Sequence, residues 1–341
     1  MPETKAIDLA LQGGGAHGAF TWGVIDRLLE DPRIDIEGIS GTSAGAMNAV
    51  VVAEGLTRGG EQAAREGLEA FWRAVSDAAM TSPIKRTPLD MLLGNWSLDH
   101  SPGYLMMDFM SRVVSPYQFN PFNLNPLRDL LAKLVDFERV RRCDSLKLFV
   151  CATDVKSGKQ RVFRRDEMSA DAVMASACLP FMFQAVEIDG RAYWDGGYVG
   201  NPALFPLMEE CGSRDIVIVQ INPIERDEVP TSAAAILNRM NEITFNASLI
   251  KEVRMAAMLK GLISDSGMDI GCYRDTLFHR ISADDALEGL SVSSKMNAEW
   301  AFLCKLRDSG RAACDAWLEA AYDDLGKRST LDIDSVYLQQ E

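Results

Sequence analysis

The chain has 341 residues, 47% hydrophobic and 25% charged, without a low-complexity tract, a composition that suits a globular protein with a sizeable buried core. A formal net charge of -14 leaves nothing to offset phosphate repulsion, which excludes nucleic acid as a partner and purely electrostatic binding to an anionic membrane. Seven cysteines without Cys-x-x-Cys spacing, and the lack of a His-x-x-x-His pair, argue against a disulfide framework and a metal centre. No cofactor is expected, and reduced thiols point to the cytoplasm.

Met1 to Ala6 lacks the basic start and apolar run of a signal peptide, and apolar runs such as Ala44 to Ala53 are too short to span a bilayer. Ile7 to Leu11 reads as a buried strand running into the glycine loop Gly13-Gly14-Gly15-Ala16-His17-Gly18. Ala19 to Glu30 follows with Phe20, Val24, Ile25, Leu28 and Leu29 at helical spacing. Ile34 to Ser40 is a second apolar strand, and Ala44 to Leu56 and Glu61 to Ala79 are helices. Between strand and helix stands Gly41-Thr42-Ser43-Ala44-Gly45. Gly-x-Ser-x-Gly in that context is the pattern of a nucleophile elbow, a strained turn that exposes one serine hydroxyl.

Thr81 to Pro126 changes character, with many prolines, aromatics and methionines. It reads as a cap with short helices at Leu89 to Leu93 and Tyr104 to Val114. Its apolar side chains, among them Met106, Met107 and Phe109, either line an acyl-binding groove or pack the cap onto the core. A helix from Leu127 to Val135 precedes strands at Leu146 to Thr153 and Gln160 to Phe163, and a helix at Asp171 to Ala177 ends before Pro180. Extended pieces at Gln184 to Ile188 and Arg191 to Trp194 lead into Asp195-Gly196-Gly197, and Asp215 to Asn222 is a strand of the buried parallel type. Alternating strands and helices indicate an α/β fold with a mostly parallel sheet sandwiched by helices. From about residue 226 to 341 the chain is mainly helical, at Ala233 to Ile263 and Met296 to Ala321, with one late strand at Phe278 to Ile281. This C-terminal region is expected to pack on a core formed by residues 1–225.

The order Gly13-Gly14-Gly15-Ala16-His17-Gly18, Gly41-Thr42-Ser43-Ala44-Gly45, Asp195-Gly196-Gly197, with Ala175-Ser176-Ala177-Cys178-Leu179-Pro180 between the last two, resembles the patatin-like phospholipases. That family consists of serine lipid acyl hydrolases, and the resemblance covers about the first 225 residues. It implies Ser43 as nucleophile and Asp195 as its partner in a dyad without histidine, acting on a lipid acyl ester. The amides of Gly13, Gly14, Gly15, Gly18 and Ala44 are candidate donors to the oxyanion. An aspartate with an ordinary pKa of about 3.9 is a poor base, so Asp195 is expected in a setting that raises it. Family members commonly carry arginine or lysine where His17 stands; His17 offers a pH-dependent positive group or a cap.

Other readings use the same residues. Ser43, Asp195 and His279 occur in the order of an α/β-hydrolase triad, although the elbow sits early for that fold. The glycine loop also fits a dinucleotide fingerprint, but its acidic residue would fall where Gly41-Thr42-Ser43 stands. A degenerate hydrolase serving as an interaction protein is the non-enzymatic alternative. Transient contact with a lipid surface through the cap, and a homo-oligomer through the C-terminal helices, complete the expectations.

Overall fold

The computed structural model describes residues 4–226, 228–266 and 275–338. Its centre is one sheet in the order β5-β6-β3-β2-β1-β7-β8, with β4 paired to β3. The strands are β1 (Lys5–Leu11), β2 (Ile34–Gly41), β3 (Lys147–Asp154), β4 (Gln160–Arg164), β5 (Val186–Ile188), β6 (Arg191–Asp195), β7 (Asp215–Gln220) and β8 (Leu277–Ser282). From β3 through β2, β1 and β7 to β8 all pairs are parallel, whereas β4, β5 and β6 join antiparallel. The mostly parallel α/β architecture expected from the sequence is therefore present, and the late strand at Phe278 to Ile281 is its edge.

Successive residues of a strand face opposite sides of the sheet, and the sequence supplies apolar residues for both. Leu9, Leu11, Val217 and Val219 join one core, with α1 (Gly18–Glu30), α2 (Ala44–Ala79) and the helix Trp300–Ala321. Ala10, Ile216 and Ile218 join a second core on the other face, with the helices Phe205–Glu210 and Ala233–Ser266. The two helices expected between Ala44 and Ala79 are one continuous element broken at Gly59 and Gly60. Gly60 there has φ 75°, a left-handed conformation that glycine adopts freely.

The C-terminal part is tied closely to the sheet's first helix. A Cβ on Gly23 would lie 1.9 Å from the carbonyl oxygen of Arg307, and one on Gly310 would lie 2.1 Å from that of Phe20. α1 and the helix Trp300–Ala321 thus touch backbone to backbone. The cap contains the helices Pro88–Leu92, Pro102–Val113 and Pro116–Phe119 and leaves Leu92, Met106, Phe109 and Phe122 exposed. Among the described residues no helix is long and apolar enough to cross a membrane.

Candidate active site

The C-terminal ends of β1, β2 and β6 bring the three glycine-rich motifs together. Ser43 follows β2 directly and caps α2 with φ 54° and ψ -118°, a conformation that costs a non-glycine residue on the order of 1–3 kcal/mol. The small residues around it are required by space. A Cβ on Gly41 would lie 2.7 Å from the Gly45 backbone, one on Gly45 would lie 2.4 Å from the Leu11 oxygen, and one on Gly13 would press on Ser43 itself at 2.7 Å. The main-chain N–H of Ser43 donates to Ser176 Oγ (2.9 Å), and the Thr42 hydroxyl donates to the Gly200 carbonyl (2.7 Å). Elbow, Ser176 helix and the segment after Asp195 are thereby fixed to one another.

Asp195 ends β6 and is 1% exposed. Its carboxylate accepts the Gly197 N–H at 2.7 Å, and the Ser43 hydroxyl lies close enough to influence its ionisation. Burial pushes the carboxyl up to about 7, against the downward pull of the Gly197 amide, the Ser43 hydroxyl and Lys295. Gly196 allows this approach, since a Cβ there would meet the Cys151 oxygen at 2.1 Å.

The oxyanion donors expected from the sequence divide into two groups. The Gly13 N–H already donates to Asn201 Oδ1 at 2.7 Å, and the Gly18 N–H turns back onto the carbonyls of Ala16 and Gly15. Those two amides are engaged, which corrects their assignment as donors. Gly14 and Gly15 open the turn ahead of α1, and Ala44 stands in the first turn of α2, where an N–H has no intrahelical acceptor.

Several residues that the sequence did not single out hold this loop. The fully buried Gln12 accepts from the amides of Ile221 (2.9 Å) and Asn222 (3.0 Å) and donates to the Asn201 carbonyl (3.3 Å) and to Asn246 Oδ1 (3.1 Å). Asn222 donates from Nδ2 to the Gly13 carbonyl at 2.8 Å, and Lys295 Nζ donates to Asn222 Oδ1 at 2.7 Å. For Gln12 and Asn222 the one signal is a polar residue just past a strand end.

The histidines lie outside the Ser43–Asp195 pair. His279, on edge strand β8, bonds Asp215 Oδ1 (2.9 Å) through Nε2 and Thr330 Oγ1 (2.8 Å) through Nδ1. Both ring nitrogens are engaged, so the Ser43-Asp195-His279 triad is not formed; β1 and β7 stand between β8 and the elbow strand. His100 bonds Asp90 in the cap. His17 is buried, with Nε2 at 2.7 Å from Ser294 Oγ, whose own hydrogen goes to the Ser291 carbonyl. The ring must therefore donate to Ser294. Burial, with Lys295 and Arg226 nearby, holds His17 well below its ordinary pKa and hence neutral, which removes it as a positive group.

A largely apolar cavity of about 700 Å³ opens between the cap and the ends of β3 and β6, with Val113, Val114, Tyr117, Phe181, Trp194 and Tyr198 in its wall; Trp194 and Tyr198 flank Asp195 in the chain, but neither Ser43 nor Asp195 lines it. Met106, Met107 and Phe109 are not in that wall, and Met106 and Phe109 are exposed. The lining comes from the end of the same helix and the turn after it. Among the described residues no cluster of His, Cys, Asp or Glu is arranged to hold a metal, and the described cysteines are free.

An uncharacterized NTE family protein of Mycobacterium tuberculosis is 30% identical over 238 residues, 69% of this chain and 55% of that protein. A cGAMP-activated phospholipase of Escherichia coli is 24% identical over 266 residues, 67% of this chain and 66% of that protein. The chain spans about half the length of the mycobacterial relatives it matches. Among solved structures, VipD from Legionella pneumophila aligns with a TM-score of 0.37 at 15% identity, covering 91% of this chain and 67% of that one. The family model for patatin-like phospholipases matches residues 9–208, taking in the glycine loop, the elbow and Asp195 together, and the chain belongs to that family.

Proposed function

We propose that this protein is a serine-dependent lipid acyl hydrolase that cleaves carboxylic esters of phospholipids or related lipids. The observation that carries this reading is the meeting of a turn strained at Ser43 with the buried Asp195, whose carboxyl is influenced by the Ser43 hydroxyl. Ser43 Oγ attacks the ester carbonyl carbon while Asp195 takes its proton. The carbonyl oxygen becomes an oxyanion facing the amides of Gly14, Gly15 and Ala44. Collapse breaks the bond to the alkoxy oxygen, which takes the proton back from Asp195 and leaves as the alcohol. Water, deprotonated by Asp195, then attacks the acyl-serine and releases the fatty acid and Ser43. A carboxyl pushed up to about 7 is a far better base at neutral pH than an ordinary aspartate.

The apolar cavity under the cap is assigned to the acyl chain, and the exposed apolar side chains of the cap to contact with a lipid surface. Ile236, Leu237, Met240 and Ile243, exposed on the helix Ala233–Ser266, support association of two copies through the C-terminal region. Labelling with a fluorophosphonate probe tests the central reading. Wild type should be labelled and Ser43→Ala not, with hydrolysis of a p-nitrophenyl acyl ester lost in Ser43→Ala and Asp195→Asn. Equal labelling of Ser43→Ala would end it.

A further inference from the structure

The glycine loop is backed by a short turn, Val292–Met296, from the C-terminal part of the chain. Gly15, at φ 58°, lies so close to it that a Cβ would sit 2.4 Å from the Lys295 carbonyl oxygen. From the same turn Ser294 meets His17, and Lys295 sends its ammonium inward onto Asn222 Oδ1 at 2.7 Å. Asn222 is fully buried and passes the contact on to the Gly13 carbonyl (2.8 Å) and to Gln12 Oε1 (3.1 Å). A cation, a buried amide and the main chain of the catalytic loop thus form one hydrogen-bonded line.

The charges around that line single out Lys295. Arg226 is paired with the buried Glu242 at 2.5 Å, and Arg239 reaches the same carboxylate at 3.2 Å. His17 is neutral. Tyr198, Cys178 and Cys151, on which the Asp195 charge acts, are all raised by burial and uncharged at neutral pH. Lys295 is the cation that draws the Asp195 carboxyl toward its ionised form.

We propose that Lys295 is a positioning residue of the Ser43–Asp195 site, holding the glycine loop through Asn222 and supplying the positive charge that favours ionised Asp195. The proposal rests on the acyl hydrolase reading above. Burial, with Arg226 adding to it and Glu242 and Asp195 opposing, pushes Lys295 down to about 8. The charge would therefore be lost just above neutrality. Activity should rise with pH as Asp195 ionises, through about 7, and fall as Lys295 loses its proton, through about 8. A residue that only fills space would leave no such falling limb.

The experiment is the pH dependence of kcat/KM for a soluble p-nitrophenyl acyl ester, from about pH 5 to about pH 9.5. Wild type, Lys295→Arg, Lys295→Met, Ser43→Ala and Asp195→Asn are compared, with folding checked by circular dichroism. Lys295→Arg should keep activity and lose the falling limb, because guanidinium stays charged throughout the range. Lys295→Met should lower kcat by about tenfold to a hundredfold with little change in KM, and move the rising limb to higher pH. A falling limb unchanged in Lys295→Arg overturns the proposal, even if Lys295→Met does not fold. So does a folded Lys295→Met with wild-type kcat and rising limb. Activity retained in Ser43→Ala or Asp195→Asn would instead strike the acyl hydrolase reading itself.

Discussion

The main-chain N–H of Ser43 is held by the hydroxyl of Ser176, 2.9 Å away and 133 residues on in the chain. The bond gives a partner to an amide of the strained turn and ties the elbow to the end of the helix that carries Ser176. Ser176→Ala should cost on the order of 1–3 kcal/mol of stability, the penalty for a buried donor left unpaired. It should lower kcat more than it changes KM. Thermal unfolding and ester kinetics on one preparation would check both.

Asp195 should trade stability for activity. Its carboxyl is pushed up to about 7 in the folded protein from 3.8, so the folded state holds a proton that the unfolded state has released. Stability is then lost as pH rises from about 4 through about 7. Asp195→Asn removes that loss: the variant should be inactive, yet melt above wild type at about pH 8, with the difference vanishing at about pH 4. Melting curves at the two pH values would decide it.

Asp8 carries the same physics away from the active site. This carboxyl, in β1, is fully buried with no hydrogen-bond partner of good geometry among the described residues, beside the Cys211 thiol. Burial pushes it up to about 8. Asp8→Asn should therefore stabilise the protein at about pH 8 by on the order of 1–3 kcal/mol and leave ester hydrolysis unchanged. Denaturant melts paired with kinetics separate this variant from Asp195→Asn.

The cavity wall should set acyl-chain preference. Phe181 is 67% exposed, so Phe181→Asp should fold normally. Placing a charge where a chain would lie should lower kcat/KM for long-chain p-nitrophenyl esters by about tenfold or more relative to short-chain ones. Met106→Ser and Phe109→Ser, outside the wall, should leave that ratio unchanged.

Gly45→Ala should fail for purely steric reasons, since its Cβ would lie 2.4 Å from the Leu11 oxygen, a backbone atom that cannot swing away. Loss of soluble folded protein, or a melting temperature far below wild type, is the expected outcome.

What could be read from the sequence was what the chain encodes locally. The elbow is a strand, a run of small residues and a helix within a few positions, and the buried strands announce themselves by unbroken apolar runs such as Ile216 to Val219. Gln12, Asn201, Asn222 and Lys295 carry no such mark, because each acts across contacts between distant segments. Lys295 lies in Ser291-Val292-Ser293-Ser294-Lys295, which reads as a polar loop. For Met106 and Phe109 the sequence left groove and packing open, because an apolar residue facing solvent on a cap helix looks, in sequence, like one facing a cavity. His279 kept the chain order of a triad, but order along the chain says nothing of the strands that stand between it and Ser43.

The intimate crossing of α1 with the helix Trp300–Ala321 has a bearing on how the chain can be cut. The family match ends at residue 208, yet a fragment stopping near residue 225 would strip α1 of its cover at Gly23 and leave β7, buried from Asp215 to Gln220, as a bare apolar edge. Such an edge is a template for pairing with other chains. The fragment should come out of cells as aggregate, so the stretch that records common ancestry is smaller than the stretch that folds.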